Sequence, residues 1–161
     1  MEDFVAALEP TLPRVQRLAR LLTGSAEAAE DLVAEAIARS LPHWRAGRIA
    51  DPASYVRTVV VHLASAGWRR RALGARRDHA ALGWAASPPD LAQQAAERDE
   101  TLRAVMRLPV RRRAVIALRF YDDLSEQQIA DTLGVALGTV KSQLSRALEQ
   151  LRVELGALEE S

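Results

Sequence analysis

Apolar residues recur at helical spacing along most of this chain, and one stretch interrupts them. Residues 74–90, GARRDHAALGWAASPPD, hold Gly74, Gly83, Pro88 and Pro89 and no sustained apolar period. On either side apolar positions fall three and four apart, the period of an amphipathic helix, and no run alternates as a half-buried strand does. The pattern predicts an all-α protein of two small helical domains, 1–73 and 91–161, joined by a flexible linker over 74–90. At 161 residues and 48% apolar, the chain can bury one medium core or two small ones.

In the first half, Leu12, Val15, Leu18, Ala19 and Leu22 predict a helix closed by Gly24. Ser25 caps a second, whose apolar positions Ala29, Leu32, Val33, Ala36, Ile37 and Leu41 run to Pro42. Asp51 and Pro52 start a third, PASYVRTVVVHLASAGWRRR, because proline in a first turn gives up an amide that has no partner there. The β-branched run Thr58 to Val61 favours a strand locally, but the length of the segment and its Asp-Pro start favour helix.

In the second half, helicity resumes near Leu91, breaks at Pro109 and returns from about Val110 to Phe120. The stretch LSEQQIADTLGVALGTVKSQLSRAL, residues 124–148, then reads as two helices around a glycine turn. Ser125 and Gln128 form a Ser-x-x-Gln capping box, Ile129 and Leu133 lie one turn apart on the buried face, and Ala130 is small enough for a close crossing. Gly134 accepts the left-handed conformation that ends the first helix, and Val135 to Gly138 lead into the second. Val140, Leu144, Leu148 and Leu151 form the apolar stripe of that second helix, which leaves Lys141, Ser142, Gln143, Ser145 and Arg146 facing outward. This is the layout of a helix-turn-helix whose second helix enters the major groove of DNA. A helical hairpin with a solvated polar face has the same spacing, so the motif alone leaves that plainer reading open.

The net charge of +1 conceals a segregation. Glu27 to Glu35 carries Glu27, Glu30, Asp31 and Glu35 and no base, whereas Arg57 to Arg77 carries Arg57, Arg69, Arg70, Arg71, Arg76 and Arg77 and no acid. Arg111, Arg112, Arg113 and Arg119 make a second basic cluster, followed by Asp122, Asp123 and Glu126. One basic surface for phosphate and one acidic surface for a different, basic partner would give this distribution.

Other classes are disfavoured on composition. There is no cysteine, which excludes disulfides, thiolate zinc sites and a cysteine nucleophile, and His43, His62 and His79 lack metal-site spacing, so no cofactor is expected. No carboxylate cluster or nucleophile with a nearby base precedes the linker, and an enzyme is not expected. No apolar run reaches the roughly 18 residues of a membrane span. The start, MEDFVAALEP, has acids where a secretory signal needs basic charge, so the expected location is the cytoplasm, without membrane insertion. Trp44 is expected in the core, Trp68 beside three arginines is read as core ahead of a contact with DNA, and Trp84 is left unassigned between nucleic-acid stacking and packing on a domain.

The run LPVRRRAVIALRFYDDLSEQQIADTLGVALGTVKSQLSRALEQLR resembles the promoter −35 domain of the extracytoplasmic-function sigma factors. LLTGSAEAAEDLVAEAIARSLPHW followed by PASYVRTVVVHLASAGWRRR resembles their −10 domain. The two cover nearly the whole chain in the family's order, and the LTG, YVRTVVV and WRRR pieces look most like those of actinobacteria. The resemblance implies a dissociable subunit of bacterial RNA polymerase that selects promoters, helps open them and performs no chemistry.

Residue by residue, it implies that Asp31, Leu32, Glu35 and Ile37 meet the coiled coil of the largest subunit of core RNA polymerase. Tyr55, Arg57, Thr58, His62, Trp68, Arg69, Arg70 and Arg71 match the segment that receives the −10 element. Ser125, Gln127, Thr139, Lys141, Ser142, Gln143, Ser145 and Arg146 match the −35 reader. Promoter DNA and core polymerase are thus the implied partners, and the resemblance leaves room for an anti-sigma factor. The chain departs from the family pattern at His62 and Ala66, where asparagine and aspartate are frequent, at Ala136 in place of a capping serine, and at Gln143 in place of arginine. A stand-alone helix-turn-helix regulator is the alternative; it accounts for the C-terminal motif and leaves the acidic helix without a role.

Overall fold

The computed structural model describes residues 2–77 and 100–159, and the regular structure among them is helical throughout. Most of the expected linker, Trp84 and the resumption of helix near Leu91 lie outside the described residues. The chain divides into two compact units, Met1–Ala85 and Ala86–Ser161.

The first unit contains α1 (Glu2–Leu8), α2 (Leu12–Thr23), α3 (Ala26–Arg45) and α4 (Pro52–Arg77). Helix α1 is an element the periodicity did not reveal; it buries Phe4 and Leu8, one turn apart, and sets the Phe4 ring 5.5 Å from that of half-buried Trp44. Helix α2 buries Val15, Leu18, Ala19, Leu21 and Leu22 and stops at Gly24, whose φ of 75° is left-handed and whose amide donates to the Arg20 carbonyl. Ser25 then takes an extended conformation, and its Oγ accepts from the Ala28 amide at 3.3 Å.

Helix α3 packs on both α2 and α4. It does so through Ala29, Val33, Ala36 and Ser40, small side chains that let two neighbours approach at once. It was expected to stop at Pro42 and instead runs on to Arg45. The hydrogen bond that proline forfeits is the one to the Ala38 carbonyl, and both residues are exposed, so water can take its place.

Helix α4 begins where Asp51 Oδ1 accepts from the Ser54 amide at 3.3 Å. Its β-branched run is helical: Val56, Val60 and Val61 are buried against the other helices, and packing outweighs local strand preference. The helix passes Gly74, where the linker was expected to begin, and reaches Arg77. A lone glycine costs a helix only about 1 kcal/mol, and its alanine, leucine and arginine neighbours are good helix formers.

The second unit contains α5 (Glu100–Arg107), α6 (Val110–Ile116), a π-helical turn over Ala117–Tyr121, α7 (Glu126–Leu133) and α8 (Leu137–Glu159). The π turn continues α6 with a wider spiral, seen in the bond from the Asp122 amide to the Ala117 carbonyl at 3.1 Å. Six successive residues, Arg113 to Leu118, are buried across the junction of α6 and this turn. Asp123, at φ 54°, then reverses the chain toward α7.

Helix α8 packs on α5, α6 and α7. Its buried stripe is Val140, Leu144, Ala147 and Leu151, which corrects the expected one: Leu148 is 43% exposed and Ala147 is fully buried. Residue 147 lies two turns from Val140 and returns to the same face, whereas residue 148 sits about 100° further round the axis.

Candidate nucleic-acid interface

The geometry of the second unit starts from the capping box. Gln128 Oε1 accepts from the Ser125 amide at 2.9 Å, and Ser125 Oγ accepts from the Gln128 amide at 3.1 Å, so α7 begins where the sequence predicts. It ends at Gly134, φ 67°, whose amide donates to the Ala130 carbonyl. Ile129 and Ala130 are buried beneath the crossing with α8. The turn is shorter than expected, because α8 already includes Gly138. The Ala136 carbonyl opens α8 by accepting from the Thr139 and Val140 amides, at 3.0 and 3.2 Å. Alanine has no side-chain oxygen to cap this end, and Thr139 lies within the first turn rather than at its start.

Thr139, Lys141, Ser142, Ser145 and Arg146 are all exposed on the outward side of α8. Gln143 differs: it is half-buried on the flank, one and two turns from Ala147 and Gln150, not at the centre of that surface. Ser125 and Gln127 are exposed at the start of α7, and the Gln127 amide is engaged by Asp131 Oδ1 at 3.0 Å. Gly138 joins this surface although the motif reading gave it no part: it is exposed, and a Cβ there would stand in open space beyond its own helix backbone.

The second arginine cluster does not form one outward surface, which corrects its reading as a phosphate surface: Arg113 is buried, Arg112 and Arg119 are half-buried and engaged within the unit, and Arg111 alone of the four is exposed. Arg113 is buried, with Nη2 donating to the Leu108 carbonyl at 3.2 Å, and desolvation lowers its pKa from the ordinary arginine value. Arg112 reaches Gln150 of α8 at 3.0 Å. Arg119 donates to the Leu124 carbonyl at 3.3 Å and lies over the Phe120 ring. A run of like charges does not state which way a helix turns each of its members.

On α3 of the first unit, Glu27, Glu30, Asp31 and Glu35 are exposed, opposite the buried Ala29, Val33, Ala36 and Ser40. Leu32 and Ile37 are half-buried and flank the buried face on opposite sides, so the four expected docking residues do not form one patch. Arg39 pairs with Glu35 through Nε and Oε1 at 2.6 Å, an exposed link that the four-residue spacing could have signalled.

On α4, Tyr55, Thr58 and His62 share one stripe by helical spacing, and Arg69 occupies the position two turns further on. The Tyr55 ring lies 5.8 Å from that of His43, Thr58 Oγ1 donates to the Ser54 carbonyl at 3.0 Å, and His62 is exposed. Arg57 lies apart from this stripe, beside Val56, Val60 and Val61; its Nη2 donates to Ser54 Oγ at 3.3 Å and its Nε is buried without a hydrogen-bond partner. Trp68, Arg69, Arg70 and Arg71 are on the helical backbone of α4, and their side chains lie outside the described residues. Among the described residues no group of His, Asp or Glu could hold a metal ion, and no helix is long and apolar enough to cross a membrane.

Comparison with known proteins identifies the family of the chain. Residues 8–73 match the family model of sigma-70 region 2, and residues 98–151 match that of sigma-70 region 4. The RNA polymerase sigma-E factor of Streptomyces coelicolor is 35% identical over 160 residues, covering 97% of this chain and 86% of that protein. The ECF RNA polymerase sigma factor SigL of Mycobacterium tuberculosis is 34% identical over 148 residues, covering 88% and 82%. The sigma factor RpoE of Bartonella quintana, solved with the anti-sigma factor NepR, has the same fold, with a TM-score of 0.71 at 20% identity over 97% of this chain and 98% of that one. With both regions present in order and relatives of this identity spanning nearly its whole length, the chain belongs to the extracytoplasmic-function sigma factors of RNA polymerase.

Proposed function

We propose that this chain directs core RNA polymerase to its promoters by dividing the work between its two units. Residues 1–73 dock on the polymerase and take up the −10 element, 74–90 connect, and 91–161 read the −35 element. The outward acids of α3, Asp31 and Glu35 foremost, face a basic surface of the polymerase, with Leu32 and Ile37 at the margins of the contact. The stripe Tyr55, Thr58, His62 and Arg69 faces the −10 strand, where capture of an unstacked base would favour the open duplex without any fuel. On this reading Trp68, Arg70 and Arg71 support that contact, and Arg57 braces α4 rather than touching DNA.

In the second unit α8 enters the major groove, with Lys141, Ser142, Ser145 and Arg146 toward bases and phosphates and Thr139 at its leading end. Gln143 reads from the flank, and Ser125 and Gln127 approach the backbone. Phosphoryl chemistry stays with the polymerase, so this chain acts in the cytoplasm as a specificity subunit and not as an enzyme. An anti-sigma factor is a further partner under this reading, as NepR is for the RpoE of similar fold.

One observation carries the proposal: a capped helix-turn-helix with a polar outer face shares a chain with a helix whose outward residues are acidic. A lone DNA-binding regulator has no use for the second feature. The test is transcription by core polymerase with and without the protein, mapped across a genome. Start sites that appear only with the protein and share a −35 and −10 pattern are expected; a protein that leaves initiation unchanged and fails to co-elute with core polymerase contradicts it.

A further inference from the structure

Arg112, on α6, donates from Nη1 to Oε1 of Gln150, on α8, at 3.0 Å, and both side chains are half-buried. Gln150 continues the chain of bonds, with Nε2 donating to Glu154 Oε1 at 3.3 Å. We propose that Arg112 and Gln150 are positioning residues for −35 reading, fixing the rotation of α8 about its own axis and thereby the aim of Lys141, Ser142, Ser145 and Arg146. The inference rests on the function proposed above and assigns a role that the arginine run, taken as a phosphate surface, did not suggest.

Apolar burial scales with area and has no preferred angle, so the buried stripe Val140, Leu144, Ala147 and Leu151 seats α8 on its neighbours, and a hydrogen bond on its flank adds a directional restraint on its rotation. A hydrogen bond weakens steeply when its atoms move out of line. Side-chain tips lie about 6 Å from a helix axis, so a turn of about 10° moves them by about 1 Å. That exceeds the tolerance of about 0.5 Å within which a designed binding constellation stays productive. Gln150 and the outward residues belong to one continuous helix, so an anchor at Gln150 is felt at Arg146 and Lys141.

A phosphate-binding Arg112 and a positioning Arg112 differ in what they change. The first lowers affinity for every DNA alike, flattens the salt dependence by about one unit of slope and involves Gln150 in nothing. The second lowers discrimination alone and shows equally in both partners.

The experiment uses holoenzyme reconstituted from core RNA polymerase and the full chain, titrated against a promoter duplex and the same duplex with its −35 element scrambled. Arg112→Ala and Gln150→Ala should each reduce the affinity ratio by about threefold to tenfold, the range expected for one hydrogen bond's worth of geometry. The double variant should be no worse than either single one, with affinity for the scrambled duplex and the salt slope unchanged. Gln150→Glu combined with Glu154→Gln, which keeps an acceptor for Arg112 and a donor–acceptor pair between positions 150 and 154, should keep the wild-type ratio. Equal loss on both duplexes, additive losses in the double variant, or an unchanged ratio in both alanine variants overturns the inference. Wild-type holoenzyme that ignores the scrambling overturns the functional reading and this inference with it; a discriminating wild type with unaffected variants overturns this inference alone.

Discussion

Helices α3 and α8 each bury one face and present another, but they are built for different contacts. The buried face of α3 is made of small residues, Ala29, Ala36 and Ser40 with Val33, and its outward side carries Glu27, Glu30, Asp31 and Glu35. The buried face of α8 is larger and branched, and its outward side mixes Lys141, Ser142, Ser145 and Arg146. A predominantly acidic surface, even with Arg39 paired to Glu35 on it, attracts at a distance and tolerates small errors of placement. A mixed polar surface acts only at hydrogen-bond range and depends on how firmly its helix is held. Under the proposed function, docking and reading sit on the same kind of element, with the sign pattern and the anchoring telling them apart.

The largest expected effect breaks the α3 side. Asp31→Lys with Glu35→Lys places like charges across the proposed polymerase contact and should weaken docking by a few kcal/mol, measured as competition with the wild-type chain for core polymerase. Reading by α8 should be untouched. A doubly reversed chain that competes normally would remove α3 from the contact.

Next comes the −35 side. Gln143→Arg should move preference toward guanine at one base pair, with discrimination of about 1 to 3 kcal/mol. Since Gln143 is half-buried on the flank, the shift should fall at the edge of the footprint, not at its centre. Selection from a randomised −35 library would show the position.

Smaller still is the cap. Ser125→Ala removes the acceptor of the Gln128 amide and should cost about 1 kcal/mol, read as a lowered Tm with the −35 preference intact. The smallest effect is at Arg39: Arg39→Gln frees Glu35 from an exposed ion pair worth at most about 1 kcal/mol and should tighten core binding slightly, with a steeper salt dependence. Weaker binding would mean that Arg39 itself touches the polymerase.

What could be read in advance was whatever local chemistry dictates. Ser25, the Asp51-Pro52 start, the Ser125–Gln128 box and the glycines at 24 and 134 each act within one turn, and each marks a helix end in the structure. The remainder depended on packing. Helix α1 is only seven residues long, too short for its two buried positions to establish a period. The π turn over Ala117–Tyr121 follows directly on a run of buried residues, and no local signal announces it. Ala147 and Leu148 compete for one stripe, and the sequence favoured the larger where the helix geometry favours the smaller. The arginines at 112, 113 and 119 read as surface charge, while backbone carbonyls and Gln150 hold them. The flank position of Gln143 also emerges only once Ala147 is known to be the buried neighbour.

The central claim, that α8 chooses the promoter while α3 secures the polymerase, is tested most directly by one selection. Holoenzymes carrying the wild-type chain or a chain with Lys141, Ser142 and Arg146 all changed to alanine would be presented with promoters randomised through the −35 element, at equal occupancy of core polymerase. The account predicts a defined preference for the wild type and a nearly flat one for the variant, with unaltered competition for core. The same preference in both would contradict it, because promoter choice would then rest on some surface other than the outward side of α8.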